Sequence, residues 1–217
     1  MKIGVFDSGI GGEIVANDLK KHFPDATITA INDRAHLPYG TKTEEQVINL
    51  TDTAIQPLIA AASDVIVIAC NTATTIALSF LRKKYPDQLF VGIEPMIKTA
   101  SELTRTNVVA VCATPATLKS KRYNELKKSF AADITVLEPD CSDWASMIEA
   151  NSVDMSRISS VIADSLAKKA DVIVLGCTHY HWIYEQITKL SQERAHIIEP
   201  TPSIARQITA LTAKRPR

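Results

Sequence analysis

Asp64-Val65-Ile66-Val67-Ile68-Ala69-Cys70-Asn71-Thr72-Ala73-Thr74 is an apolar run that ends in a thiol and a cluster of small hydrogen-bonding residues. A short β-branched run of this kind predicts a buried strand. The chain contains the pattern twice: Asp171-Val172-Ile173-Val174-Leu175-Gly176-Cys177-Thr178-His179-Tyr180 repeats it, with its cysteine 107 positions after the first. Three further blocks recur in the same order. Val109 to Thr114 follows Ile3 to Ser8 by 106 positions, Ala132 to Leu137 follows Ala26 to Ile31 by 106, and Ile198-Glu199-Pro200 follows Ile93-Glu94-Pro95 by 105. Four blocks at a nearly constant offset predict two similar α/β domains in tandem. The boundary falls near Pro95 to Thr106, giving domains of 1–97 and 98–200.

Between the strands lie helical stretches. They are expected at about Glu13 to His22, from Thr43 (a capping box with Gln46) to about Ala62, at Thr75 to Tyr85, and at Thr201 to Thr212. Strands alternating with helices imply mainly parallel sheets, flanked by helices and joined by right-handed crossovers. The terminal Lys214-Arg215-Pro216-Arg217 reads as a solvated basic tail.

The bulk composition narrows the partners. At 217 residues and 46% hydrophobic, the chain can bury the cores of two small domains. Its 24 basic and 24 acidic residues cancel, so no long-range field favours nucleic acid or an anionic membrane. A small polar ligand suits that neutrality better. No apolar run approaches the ~18 to 20 residues of a membrane span, and Met1-Lys2-Ile3-Gly4 opens straight into a strand, as expected of a soluble, unexported, cytoplasmic protein. Cysteines 70, 112, 141 and 177 show no pairing pattern, consistent with reduced thiols.

Four of the seven glycines lie in the first twelve residues, in Asp7-Ser8-Gly9-Ile10-Gly11-Gly12 and at Gly4. Such backbone must turn tightly or meet a ligand closely. Ile14 stands where a dinucleotide fingerprint needs glycine, so the stretch reads as an anion-tolerant loop and not a nucleotide site.

Ligands of open parallel sheets gather at the carboxyl ends of the strands, where both Cys70 and Cys177 are expected. If two like domains face each other about a pseudo-twofold axis, the thiols enter one interdomain cleft from opposite walls. Matched acid/base groups on opposite faces of a carbon are what inversion of a stereocentre requires. A thiol of pKa about 8.5 needs help to ionise. Asp7 and His179 are placed to give it. Asn71, Thr72, Thr114, Thr117 and Thr178 bring donors and acceptors suited to an amino acid's carboxylate and ammonium. Taken singly, a cysteine ending a buried strand is a small hydrophobe, which is the reading for Cys112 and Cys141.

Together, Gly4-Val5-Phe6-Asp7-Ser8-Gly9-Ile10-Gly11-Gly12, Asp33 with Pro38-Tyr39-Gly40, Ala69-Cys70-Asn71-Thr72-Ala73-Thr74 and Leu175-Gly176-Cys177-Thr178-His179-Tyr180 resemble the glutamate racemase family. The resemblance runs from about Ile3 to Ile208. It implies a cofactor-independent isomerase, with no metal, that interconverts L- and D-glutamate to supply D-glutamate for peptidoglycan. It makes Cys70 and Cys177 the two acid/base residues, with Asp7 and His179 their respective assistants. Ser8, Tyr39, Gly40, Asn71, Thr72, Thr117 and Thr178 would hold the substrate, with Pro38, Thr114 and Glu149 in support. Members of the family generally carry more chain at the C-terminus, folded back on the first domain, and 201–217 is expected to pack there. A homodimer is the assembly left open. This sequence departs from the family's pattern at Glu13, at His181-Trp182 and at Glu199-Pro200-Thr201. Aspartate or another amino acid is the alternative substrate.

Two readings from other classes compete. Cys177, His179 and His181 alternate, which in an extended segment puts three zinc ligands on one face, with Cys70 as a fourth. A non-catalytic amino-acid binder would need no thiol pair at all.

Overall fold

The computed structural model describes residues 1–213; the basic tail lies outside the described residues. In chain order the elements are β1 (Lys2–Asp7), α1 (Gly11–His22), β2 (Thr27–Asn32), α2 (Glu44–Ala54), α3 (Gln56–Ala60), β3 (Val65–Ile68), α4 (Asn71–Lys84), β4 (Leu89–Gly92), α5 (Ile97–Leu103), β5 (Val108–Ala113), α6 (Pro115–Lys119), α7 (Lys121–Phe130), β6 (Thr135–Leu137), α8 (Trp144–Glu149), α9 (Met155–Ala167), β7 (Val172–Gly176), α10 (Tyr184–Ser191), β8 (His196–Ile198) and α11 (Thr201–Thr212). Short 3-10 turns occupy Arg34–His36, Tyr39–Thr41 and Thr178–Ile183.

Two four-stranded parallel sheets result, in the orders β2-β1-β3-β4 and β6-β5-β7-β8. The second is the first repeated, strand for strand, as the constant sequence offset predicts. All four residues of β3 and all five of β7 are buried, because each is an inner strand covered by helices on both faces. Alternate residues therefore serve opposite cores. Val65 and Val67 pack with Ile3, Val5, Val15 and Leu19, whereas Ile66 and Ile68 pack with Phe6, Leu58, Leu78 and Leu81. In the second sheet Val172 and Val174 join Ile97, Tyr123 and Leu126, and Ile173 and Leu175 join Trp144, Ile158 and Ile187. Ile204, Ala205 and Ile208 of α11 pack with Ile3, Val15 and Val91.

Two helices differ from the expected spans. The helix from Thr43 stops at Ala54 and resumes at Gln56, where Pro57 occupies the first turn; the Thr43–Gln46 capping box forms in both directions. More consequential is α4, which starts at Asn71, four residues before the expected Thr75. Thr74 and Thr75 are poor helix formers in isolation, but here their hydroxyls donate back to the Ile68 and Asn71 carbonyls at 2.8 and 3.1 Å. Cys70 is thereby the N-cap.

Candidate active site

The chain leaves β3 at Ala69 and turns directly into α4, so the Cys70 thiol sits on the first turn, where its sulfur accepts the Ala73 N–H at 3.4 Å. A helix N-terminus carries partial positive charge and favours a thiolate. Opposing it, burial raises the Cys70 pKa, with the Asp7 carboxyl adding to the rise and the Ser8 bond easing it, to about 11. Cys177 leaves the equivalent strand β7 but enters only a 3-10 turn, whose His179 and Tyr180 N–H groups favour its thiolate. Its pKa is pushed up further, by burial and then by the neighbouring Cys70. The two thiols are 5% and 7% exposed and line one interdomain cleft.

The cleft's walls come from both sheets. Ser8, Pro38, Tyr39, Gly40, Cys70, Asn71 and Thr72 form one side; Thr114, Cys177, Thr178 and His179 form the other. The remaining free volume is about 30 Å³, room for a water or two. Thr117 stands behind the wall, fully buried, and its hydroxyl meets those of Thr72 (3.3 Å) and Thr114 (3.0 Å), while Thr72 and Thr114 are 2.9 Å apart. Asn71 donates to the Ile93 carbonyl, leaving its buried Oδ1 without a partner.

The helper groups are arranged less simply than one beside each thiol. Ser8 Oγ, not Asp7, touches Cys70 Sγ, at 3.3 Å. Asp7 accepts the Gly9 N–H at 2.7 Å and, across the interface, the Thr178 hydroxyl at 2.8 Å. Burial raises the Asp7 pKa, the opposing pull of His179 and these hydrogen bonds notwithstanding. His179 does adjoin Cys177, with Nδ1 at 3.8 Å from the sulfur, and its Nε2 lies 2.8 Å from Glu149 Oε2. Cys177, His179 and Glu149 thus form a relay of thiol, imidazole and carboxylate. For Glu149, burial opposes the charge, but bonds from His179, the Ile10 N–H and Arg34 outweigh it and hold the carboxyl below its ordinary range.

The glycine loop is where the two domains approach each other closely. A Cβ on Gly9 would lie 2.5 Å from His179 Nε2, and one on Gly11 would lie 2.5 Å from Thr178 Cβ. These glycines admit the second domain's Thr178-His179 to the first domain's backbone. Neither has a positive φ, so close approach, not a left-handed turn, is what requires them.

Residues outside the expected site also belong here. Asp33, part of the motif with Pro38-Tyr39-Gly40 but given no site role from sequence, accepts the Tyr39 hydroxyl at 2.7 Å and pairs with His36, fixing a ring that lines the cleft. Ser142, Ala145 and Ser146 complete the second wall from the start of α8, a helix too short to leave a periodic signal. The proposed row of zinc ligands does not form. Thr178–Ile183 is wound and not extended, so alternation does not align its side chains, and His181 Nε2 faces Glu199 at 3.4 Å. Among the described residues no group of three or more His, Cys, Asp or Glu side chains is arranged to hold a metal ion. Nor, among them, is any helix long and apolar enough to cross a membrane.

Known proteins share this architecture and sequence. The profile of the Asp/Glu/hydantoin racemase family matches residues 13–208. Glutamate racemase of Pseudomonas syringae pv. tomato is 34% identical over 98% of this chain and 78% of its own length. That of a Sulfurovum species is 36% identical, over 99% and 84%. The crystal structure of Escherichia coli glutamate racemase, solved with L-glutamate and an activator, superposes with a TM-score of 0.90 at 28% identity, covering 100% of this chain and 84% of that one.

Proposed function

This chain belongs to the glutamate racemases of the Asp/Glu/hydantoin racemase family, an amino-acid racemase of the isomerase class, and from that premise we propose that it interconverts L- and D-glutamate with two cysteines as its acid and base. The observation that carries this reading is the placement of Cys70 and Cys177 at equivalent strand ends of two like sheets, lining one closed cleft. One thiolate removes the α-proton and the opposite thiol delivers a proton to the other face; reversal exchanges the roles. On the Cys70 side, Asp7, whose carboxyl is raised by burial, is the proton partner, acting past Ser8. On the Cys177 side the partner is His179, oriented by Glu149.

Abstraction from carbon builds negative charge on the substrate's carboxylate, which preorganised donors stabilise. The Thr72 hydroxyl and the N–H groups at the start of α4 supply them, while the Thr178 hydroxyl, which donates to Asp7, holds that carboxyl in place. Asn71 Oδ1, buried and unpartnered, suits the substrate ammonium. Neutral side chains of this kind hold both mirror forms. The residues at the cleft supply every proton the reaction needs, so the reading invokes no cofactor. By family resemblance, the product D-glutamate feeds peptidoglycan synthesis in the cytoplasm.

Chiral chromatography of L-glutamate, D-glutamate and L-aspartate incubated with the purified chain, without added cofactor, tests the assignment. Glutamate is expected to reach equal amounts of both forms from either side, with aspartate turned over far more slowly. Faster inversion of aspartate would move the assignment to that substrate, and no inversion of either would end it.

A further inference from the structure

Arg34 stands on the 3-10 turn that follows β2, in the first half of the molecule, and its side chain is 58% exposed. On sequence it is an ordinary surface cation. In the fold its Nε reaches Glu149 Oε1 at 2.6 Å, a contact between residues 115 positions apart, and Glu149 is the carboxylate that holds His179. The other oxygen of Glu149 takes the Ile10 N–H at 3.2 Å as well as His179 Nε2 at 2.8 Å. Glu149 is therefore gripped by two donors from the first domain and one from its own.

That division has a mechanical consequence. When the cleft opens, the His179 contact travels with Glu149, whereas the Arg34 and Ile10 contacts must break. We propose that Arg34 is a positioning residue: its grip on Glu149 clasps the two domains shut and fixes the His179 ring against Cys177. The catalytic arm of this inference rests on the racemase reading; the closure arm does not. An exposed ion pair is ordinarily worth little. This one differs because its acceptor is mostly buried, at 16% exposure, and shares its charge with an imidazole beside a reacting thiol. The charged or titratable groups around that carboxylate are Arg34 from the turn, Asp7 from β1, and His179 and Cys177 from the segment after β7. Losing Arg34 removes one of the donors that hold the Glu149 pKa down, so the acid side of an activity profile that depends on it moves to higher pH.

Iodoacetamide alkylation, read cysteine by cysteine by peptide mass spectrometry, measures closure without turnover. Wild type, Arg34→Ala and Arg34→Lys are compared, with Cys112 and Cys141, buried in the core, as internal controls. Arg34→Ala is expected to raise the rate at Cys70 and Cys177 by about fivefold or more while the controls stay protected, and Arg34→Lys to restore most of the protection. In parallel, kcat/KM for glutamate falls about tenfold in Arg34→Ala, with its acid limb displaced upward in pH, and recovers in Arg34→Lys. Rates at Cys70 and Cys177 within twofold of wild type, or a rise at all four cysteines together, overturn the clasp. Faster alkylation in an enzyme whose kcat/KM and pH profile are unchanged overturns the positioning role. Selective alkylation in a protein that never inverts glutamate leaves the clasp standing and removes the racemase reading instead.

Discussion

Cys70 and Cys177 sit at matching places in a repeated fold, yet their surroundings are unequal. Cys70 has a helix N-terminus and Ser8 against its sulfur; Cys177 has a short turn and an imidazole at 3.8 Å. Burial pushes Cys70 to about 11 and Cys177 higher, which favours the thiol form, so the proposed mechanism requires one of them to ionise. A raised thiol pKa means the thiolate fraction grows with pH, so kcat/KM should climb between roughly pH 7 and pH 9. A profile flat over that range would contradict the thiolate base. Gly9 supports a second expectation: Gly9→Ala places a methyl against His179 Nε2, displacing the ring that orients toward Cys177. Activity should drop about a hundredfold with the circular dichroism spectrum unchanged. At this scale the sequence discloses which residues gather, because thiols, hydroxyls and carboxyls follow strand ends. It does not disclose their pairing: Asp7 reaching Thr178, 171 positions away, depends on how two domains meet, and Ser8 reaching Cys70, 62 positions away, on β1 lying beside β3 in the first sheet.

Among the elements, α4 decides the site's electrostatics. Its start at Asn71, concealed in sequence by successive threonines, converts Cys70 from a loop residue into an N-cap. The propensities of Thr72, Thr74 and Thr75 argue against helix there, and tertiary burial of that first turn, with every one of those hydroxyls hydrogen-bonded, overrides them. By contrast, the start of α2 is legible, since a capping box is a local device whose partners lie three residues apart, although its stop at Ala54 is not. Thr43→Ala should cost about 1 kcal/mol, measured by urea denaturation, and leave kcat unaffected. A stability loss below a few tenths of that would mean the box is not formed in solution.

For the molecule as a whole, the repeat and the parallel sheets were readable because buried strands announce themselves by composition and recur at a fixed offset. The narrowness of the cleft was not readable, because no local pattern encodes how two domains close on each other. If glutamate binds between the two walls as proposed, saturating glutamate should alter the alkylation rates of Cys70 and Cys177 without touching Cys112. The last helix ties the end of the described chain to its beginning, with Ile208 buried among Ile3, Val15 and Val91. Ile208→Ala should cost 2 to 5 kcal/mol, roughly the loss seen when a large core aliphatic is truncated. A change under about 1 kcal/mol would show that α11 is not part of that core in solution.

Two thiols on opposite walls make one claim that can be tested without inference. L-glutamate and D-glutamate are each incubated with wild type, Cys70→Ser and Cys177→Ser in deuterated buffer, and the α-position of each enantiomer is read by mass spectrometry after chiral separation. If the account holds, every inverted molecule formed by wild type carries one solvent deuterium at Cα, and either substitution abolishes inversion. Inversion that retains the α-proton, or that survives the loss of either thiol, would contradict it.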